Sequence, residues 1–360
     1  MITNKSQAIK FVLLLSFLYC FNYNSYSQVS PLTDNNWVIN SSKSDEFNAF
    51  SLDLTKWDAL DPPNGIGHNW GGGGLFRPSN VSVDGSNLQL KVEEISPTYP
   101  RQWSGGVRSK TTNYSYGYFE MRAKLPGFYD NGQPIGDRFF PAFWTYFADY
   151  NQWPCYHDEI DILESTGIDY ADGKSYTVGH WDHTPESWDP NANILDCPAI
   201  KYNEYTYTNM TPIFDNFHKY AVEWLPDRIN YYFDDILISS NYNVLGMPTH
   251  EQYVVMDQQM DGNIPLHPNT PLPLYMTVDY FRYYELNKDC NTDALILNNT
   301  QLNSFVFQVK RNITIGNGTT SIYFPPNTKK TLRFSNELTI NGSFTVFLGS
   351  ELNLIPTPCN

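Results

Sequence analysis

The segment with the clearest chemical potential is the acidic run HDEIDILE at residues 157–164. Acidic and apolar residues alternate along its first part, as in a β-strand with one polar and one apolar face. Strict alternation would turn Glu164 to the apolar face, where an unpaired carboxylate is costly. We therefore predict a β-bulge at Ile162–Leu163, which inserts one extra residue and returns Glu164 to the face of Glu159 and Asp161.

Carboxyl groups crowded on one strand face have a specific chemical use. Three of them cannot all be ionised cheaply, so the pKa of at least one must rise. Retaining hydrolysis of a glycosidic bond needs two carboxyl groups about 5–5.5 Å apart, one ionised and one protonated. Glu159 and Glu164 are the candidate pair, and Asp161 between them can tune the ionisation of Glu159. A solvated strand face with scattered acids and a calcium site made by the same acids are the alternatives.

The elements that must position these acids are short strands. Strand-like runs from Trp37 to about Leu286 are separated by Gly, Pro, Asn and Asp clusters, and the 26 Tyr, 22 Phe and 9 Trp favour β structure. No segment has a long apolar repeat at helical spacing. The pattern predicts an all-β antiparallel sandwich or jelly roll, with strands at 88–92, 117–123, 139–146, 159–164, 218–224, 228–233 and 274–284.

Residues 1–27 have the pattern of a secretory signal peptide. Lys5 and Lys10 precede an apolar run from Phe11 to Phe21, and small and polar residues follow as far as Ser27. The run is too short for a membrane span, which needs roughly 20 residues. We therefore expect a protein that is secreted or attached to the cell surface, with no membrane span. The formal net charge of −15 argues against a nucleic-acid partner, and a sulfated substrate would need a local basic pocket.

The sequence changes in character after Cys290. Residues 291–360 contain no tryptophan and consist of short strand-like pieces, and Asn-Gly pairs at 317–318 and 341–342 signal hairpins or tight turns. The segment ITIGNG at 313–318 has an echo in LTINGS at 338–343, which indicates a small stacked repeat. We predict two domains after the leader, a catalytic domain at 33–287 and a β-rich C-terminal module at 291–360.

Four cysteines remain once Cys20 is removed with the leader, an even number in an oxidising compartment. Four cysteines allow three connectivities, and the absence of a CxxC pair argues against a zinc site. From their positions we predict a Cys155–Cys197 bridge beside the acidic strand and a Cys290–Cys359 bridge that closes the C-terminal module.

The region from Trp37 to Tyr284 resembles glycoside hydrolase family 16. The resemblance rests on EIDILE at 159–164, the form of the signature with the extra residue, and on several segments in the same order: YGYFEMRAKLPG (116–127), FFPAFWTYF (139–147), FHKYAVEWLPDRINYYFDD (217–235) and VDYFRYYEL (278–286). It implies a β-jelly roll with a concave substrate cleft and an endo-acting retaining mechanism. In that mechanism Glu159 is the nucleophile, Glu164 is the acid/base and Asp161 assists.

The resemblance also suggests substrate contacts. Trp144 and Trp153 are similar to family tryptophans near the cleavage site, and His180 matches a histidine that contacts the sugar or the catalytic acids. Trp103 and Trp181 are further candidates, because sugar rings stack on indoles. For each tryptophan, packing in the core is the alternative.

No cofactor is required by this chemistry, but many family members hold a structural calcium. Glu46, Gly85 and Asp279 lie in segments similar to those that supply it. The partner is expected to be a β-linked polysaccharide, with β-1,3-glucan of the laminarin type slightly preferred and the protein acting as a monomer. A red-algal galactan (agar, porphyran or carrageenan) and a non-catalytic sugar-binding jelly roll are the alternatives.

Overall fold

A computed structural model of the protein describes residues 32, 37–66, 74–94, 102–148, 157–165, 170–182, 200–242, 247–248, 250–260, 266–304, 308–319, 321–324, 329–348 and 350–359. The first part of the chain forms β1 (Trp37–Ile39), β2 (Trp57–Ala59), β3 (Gly74–Phe76), β4 (Val81–Val83), β5 (Leu88–Glu94), β6 (Gln102–Ser109), β7 (Gly117–Lys124), β8 (Phe128–Asp130), β9 (Gln133–Ile135), β10 (Phe139–Ala148), β11 (His157–Glu164), β12 (Ser175–Asp182), β13 (Ile200–Thr208), β14 (His218–Leu225), β15 (Arg228–Phe233), β16 (Ile236–Asn241), β17 (Tyr253–Met260) and β18 (Leu274–Leu286). Two 3₁₀ turns lie at Pro62–Asn64 and Pro78–Asn80.

These strands form two layers joined through β6. One layer has the order β13-β12-β11-β10-β17-β6, and the other has the order β5-β18-β7-β14-β15-β16. The strand β6 pairs with β17 through residues 105–108 and with β5 through residues 102–104, so it passes from one layer to the other. The predicted antiparallel all-β architecture is confirmed, and each predicted strand lies within an observed one.

The core lies between the two layers. Alternate residues of β5 are buried while Gln89 and Lys91 between them are partly exposed, which is the alternation expected for a sheet with one buried face. Ile160 and Met256 from the first layer belong to the same apolar cluster as Phe119, Val222 and Phe281 from the second. Each fully buried side chain of this size contributes about 1.5–3 kcal/mol relative to exposure. The face of the first layer opposite this core is called the acid face below.

The C-terminal region adds parallel strands with a core of its own. It contains β19 (Ala294–Ile296), α1 (Asn299–Ser304), β20 (Val309–Ile315), β21 (Ile322–Phe324), β22 (Lys329–Ile340), β23 (Phe344–Val346) and β24 (Glu351–Pro356). The strands β19, β20, β22 and β24 form one parallel sheet, and β21 and β23 form a second. Buried Ile296, Ile313, Ile322 and Leu332 pack between these elements.

The predicted repeat is stacked residue on residue in this region. Ile313 lies opposite Leu338 and Ile315 opposite Ile340 in the parallel ladder. A side chain at Gly316 would come within 2.1 Å of the Asn341 carbonyl oxygen, and the φ angle of Gly316 is +82°. Gly318 and Gly342 also have positive φ, as tight turns require. Of the two predicted alternatives for the Asn-Gly pairs, the tight turn is observed and the hairpin is not, because the strands on either side of each pair lie in different sheets.

Two covalent or ionic links hold this region in place. A disulfide joins Cys290 and Cys359, with their Cα atoms 6.1 Å apart, as predicted. The buried Lys330 ammonium lies 2.6 Å from the Asp227 carboxylate in the turn between β14 and β15. The other predicted bridge, Cys155–Cys197, lies outside the described residues, as does the leader at 1–27. No helix within the described ranges is long and apolar enough to span a membrane.

Candidate active site

The acidic strand β11 carries the predicted bulge. Its neighbour β10 pairs Phe143 with Leu163 and then Trp144 with Asp161, so Ile162 has no partner of its own. On the other side, Asp161 pairs with Gly179 and Glu164 with Thr177, so a step of three residues along β11 faces a step of two along β12. Ile162 and Leu163 are both buried in the core, at 1% and 0% exposure. The bulge therefore turns two successive apolar side chains inward and returns Glu164 to the face of Glu159 and Asp161.

The three acids differ in their surroundings on this face. Asp161 is buried, whereas Glu159 and Glu164 are half-buried. In the ladder with β10, Glu159 lies opposite Tyr146 and Glu164 opposite Ala142. That separation is four residues on β10, or about 13 Å between Cα atoms at the usual strand rise. The two long side chains must lean toward each other across Asp161 to form a working pair.

Aromatic rings lie beside the acids. Trp144, opposite Asp161, stacks on Tyr146 with ring centroids 5.0 Å apart, and Tyr146 contacts Tyr253 at 5.5 Å. These rings pack with buried Leu60, Phe76 and Val255 on the acid face. Trp144 was predicted from the sequence as a substrate contact, whereas Tyr146 and Tyr253 were missed. Trp144, Tyr146 and Tyr253 thus form an aromatic stripe next to the carboxylates, in which Tyr146 is buried and Trp144 and Tyr253 are partly exposed.

The Arg108 side chain lies at the Tyr253 end of the aromatic stripe. The Arg108 guanidinium carbon lies 4.3 Å from the centroid of the Tyr253 ring, and Nη1 donates to the Tyr146 hydroxyl at 3.3 Å. Asp58 approaches the guanidinium at 3.9 Å and is itself 3.2 Å from Lys110. Within the described residues, Arg108 Nε is buried without a hydrogen-bond partner. Arg108 was not predicted from the sequence, because its contacts come from β2, β10 and β17, which are distant from β6 along the chain.

A buried carboxyl group fixes Trp144 from its other side. The Trp144 indole Nε1 donates to Asp257 Oδ2 at 2.9 Å, and Gln259 Nε2 donates to Oδ1 at 3.0 Å. Asp257 is 0% exposed, and burial raises its pKa from 3.8 to about 6. The only sequence signal for this residue is an aspartate directly after the apolar run Val254–Met256 of strand β17.

The predicted sugar contact of His180 is not what the structure shows. His180 lies opposite Ile160, and its side chain is fully buried on the core side. Asn241 Nδ2 donates to His180 Nε2 at 2.8 Å, which places the ring proton on Nδ1, 3.2 Å from the Tyr231 hydroxyl. That hydroxyl donates to the carbonyl of Gly179 at 2.6 Å, opposite Asp161 in the ladder. His180 thus links the two layers behind the acids.

Stability at low pH should depend on His180. Burial lowers the pKa of His180 from 6.5 to about 4. As pH falls through this range, His180 is protonated in the unfolded chain while it stays neutral in the folded protein. The loss amounts to about 3 kcal/mol of unfolding free energy between pH 7 and 4. We expect His180→Gln to remove that part of the decline, measured by urea unfolding at both pH values. An equally steep decline, or a changed pH profile of kcat/KM, would contradict this role.

A second buried group supports β11. Asp158 accepts hydrogen bonds from the backbone N–H of His250 at 3.1 Å and from His250 Nδ1 at 2.8 Å. The His250 ring in turn stacks on Phe147 of β10 at 4.5 Å. Because Asp158 directly precedes Glu159, these contacts fix the backbone at the start of the acidic strand.

The other predicted tryptophans are placed less closely. Trp103 is half-buried where β6 pairs with β5, and its described contact is with the Arg77 guanidinium at 5.8 Å. The backbone of Trp181 lies opposite Glu159 in the ladder. The side chain of Trp181 and the whole of Trp153 lie outside the described residues.

The residues predicted for calcium are otherwise engaged. The Glu46 carboxylate forms a two-point ion pair with Arg282, at 2.8 Å for both contacts, and Asp279 pairs with Arg122. Gly85 has a φ of +95° and packs against Phe50. Within the described ranges no three His, Cys, Asp or Glu side chains form a metal-binding group. Both carboxylates are thus paired with arginines, the calcium site stays a prediction, and no chemical step is assigned to a metal.

Residues 37–286 match the family model described as "Beta-porphyranase A-D, GH16 domain". The chain is 29% identical over 234 residues to beta-porphyranase C of Zobellia galactanivorans, covering 58% of this chain and 64% of that protein. It is 26% identical over 278 residues to glucan endo-1,3-beta-glucosidase A1 of Niallia circulans, covering 67% and 37%. The chain thus spans roughly four to six tenths of the curated relatives it matches.

Solved structures support the same fold. The catalytic domain of an endo-1,3-beta-glucanase (laminarinase) from Thermotoga petrophila superposes with a TM-score of 0.54 at 23% identity, covering 70% of this chain and 99% of that one. A laminarinase from Flavobacterium gives a TM-score of 0.52 at 21% identity, covering 67% and 98%. At this identity the likeness concerns the jelly-roll fold alone.

Proposed function

Because the chain belongs to glycoside hydrolase family 16, we propose that it hydrolyses internal β-glycosidic bonds of a polysaccharide with retention at the anomeric carbon. The observation that carries the proposal is the bulge in β11, which brings Glu159, Asp161 and Glu164 onto one face beside an aromatic stripe. A non-catalytic sugar-binding domain would use the same aromatic rings but has no need for three aligned acids.

The mechanism follows from the two half-buried glutamates. The Glu159 carboxylate attacks the anomeric carbon while protonated Glu164 gives its proton to the leaving glycosidic oxygen, so the sugar–oxygen bond breaks and a glycosyl ester forms. Glu164, now ionised, takes a proton from water, and the water oxygen displaces Glu159. Buried Asp161 lies between them on the same face, and its proposed role is to assist the nucleophile Glu159. No metal or other cofactor is required for these steps.

The substrate that we propose is a red-algal galactan of the porphyran type. The support is the family model, which describes porphyranases and matches 250 consecutive positions, 37 to 286. For this reason we place the galactan ahead of the β-1,3-glucan that the sequence slightly favoured. Laminarin is still included among the test substrates, because one relative is a glucan endo-1,3-beta-glucosidase.

Arg108 supplies the local positive charge that a sulfated galactan needs in a chain of net charge −15. Its guanidinium rests on Tyr253, donates through Nη1 to the Tyr146 hydroxyl and has only a distant acidic neighbour, Asp58 at 3.9 Å. A guanidinium held in this way can donate to a sulfate oxygen or a ring hydroxyl of a bound sugar. We further propose that the protein is secreted, supported by the leader pattern of residues 1–27 and the Cys290–Cys359 disulfide, and that it acts as a monomer.

Reducing-end release on porphyran, agarose, carrageenan, laminarin and lichenan tests this function. We expect the highest kcat/KM on porphyran, a rapid fall in polymer length, and products that are first released in the β configuration by NMR. Arg108→Met should lower kcat/KM on porphyran about 10-fold, in line with one lost charged hydrogen bond, and should change it less on the unsulfated agarose. Preferred cleavage of laminarin would contradict the substrate assignment, and no cleavage of any polymer would contradict the enzyme assignment.

A further inference from the structure

Asp257 is a buried carboxyl group on the acid face that the mechanism above does not use. Carboxylates are rarely buried without compensating hydrogen bonds or ion pairs, because their desolvation is costly. This carboxyl is fully buried, and its two hydrogen bonds come from Trp144 and Gln259. Both donors are neutral, so no positive charge in these bonds offsets the cost of burying the carboxylate.

The ladder places Asp257 in register with the acid/base. Ala142 of β10 pairs with Asp257 on one side and with Glu164 on the other. Trp144 is the next residue of β10 on the same face, and it pairs with Asp161. The Trp144 indole therefore extends diagonally from the row of Asp161 toward the row of Glu164 to reach Asp257.

The strand on the other side of Asp257 is built to admit the carboxyl. Asp257 pairs with Gly106 of β6, and a Cβ atom at Gly106 would lie 2.8 Å from the Asp257 Cβ and 2.6 Å from Leu60. Any larger residue at 106 would displace the aspartate. The indole of Trp144 is thus held between a stacked ring, Tyr146, and a carboxylate acceptor.

We propose that Asp257 is a positioning residue, whose carboxylate holds the Trp144 indole beside Asp161 and Glu164 as the stacking platform for the sugar ring at the bond that is cleaved. A side-chain hydrogen bond to a buried acceptor is directional and favours one orientation of the indole, whereas ring stacking and apolar packing are less directional. The inference rests on the hydrolase activity proposed above but not on the choice of polysaccharide.

The test uses a double-mutant cycle on whichever polymer the wild-type enzyme cleaves, so a protein inactive on every polymer counts against the proposed function and not against this role. Asp257→Leu should lower kcat/KM by 10- to 50-fold, mainly through KM. Asp257→Asn, which retains an acceptor for the indole, should stay within about 3-fold of wild type. In a Trp144→Phe background, which lacks the donor, Asp257→Leu should change kcat/KM by less than 2-fold.

Thermal unfolding separates positioning from a structural role. At pH 7.5 the loss of a desolvated acid raises Tm, while the loss of the acceptor for Trp144 and Gln259 lowers it. We therefore expect only a small change in Tm, even though activity falls. Glu120→Gln is a matched control, since Glu120 is a buried acid bonded to Tyr280 in the other layer, and it should keep kcat/KM within 2-fold. If Asp257→Leu does not fold, Asp257→Ser, which is smaller and too short to reach the indole, takes its place. An equal loss in the Trp144→Phe background, or wild-type KM in the Leu or Ser variant, would overturn the proposal.

Discussion

Glu159→Ala and Glu164→Ala are each expected to reduce kcat by a factor on the order of 10⁴ or more while the protein stays folded. The nucleophile and the acid/base act as one unit, and loss of either member of such a unit removes most of the rate enhancement. Both side chains are half-buried on the acid face and outside the apolar core, so their truncation leaves no large cavity. Initial rates of reducing-end release, with circular dichroism to check the fold, measure the effect.

Azide distinguishes the two roles. Added azide should restore turnover of Glu159→Ala and give a glycosyl azide of inverted configuration, because a small anion can occupy the space of the missing nucleophile. Glu285→Ala is the control, since Glu285, on β18 of the other layer, pairs with Lys43, and it should be as active as wild type. Activity near the wild-type level in either active-site variant would refute the assignment.

A second large effect is expected at the bulge. Leu163→Asp should unfold the protein or lower its unfolding free energy by several kcal/mol, because the side chain at this position is 0% exposed in the core. A strand with strict alternation would instead present residue 163 on the acid face and tolerate the change. Denaturant unfolding of the purified variant measures the loss.

Deletion of Leu163 provides the matched comparison. It removes the extra residue and leaves Glu-Ile-Asp-Ile-Glu, in which strict alternation keeps all three acids on one face. We expect this variant to fold and to retain measurable hydrolysis, reduced by up to about 10²-fold because the acid/base is displaced along the strand. Complete loss of the fold on deletion, together with tolerance of Leu163→Asp, would show that the bulge does not set the orientation of Glu164.

The C-terminal region shows how far local pattern goes. The echo of 313–318 in 338–343 identified the stacked repeat, and the register Ile313 to Leu338 bears it out. The direction of the stacked strands was open, because an Asn-Gly turn fits both a hairpin and a turn between successive coils. Only the pairing of strands more than twenty residues apart decides between them.

The sequence by itself determined the acidic strand and its bulge, because alternation and the cost of burying a carboxylate are local and leave one arrangement for Glu159, Asp161 and Glu164. It also determined the all-β class, through the density of aromatic residues and turn signals. The tertiary structure alone decided which way His180 faces, because the register of β12 against β11 places it opposite Ile160. Likewise, the contacts of Trp144 with Asp257 and of Arg108 with Tyr253 join strands far apart in the chain. Which strands become neighbours depends on the packing of the whole core, and no window of sequence contains that information.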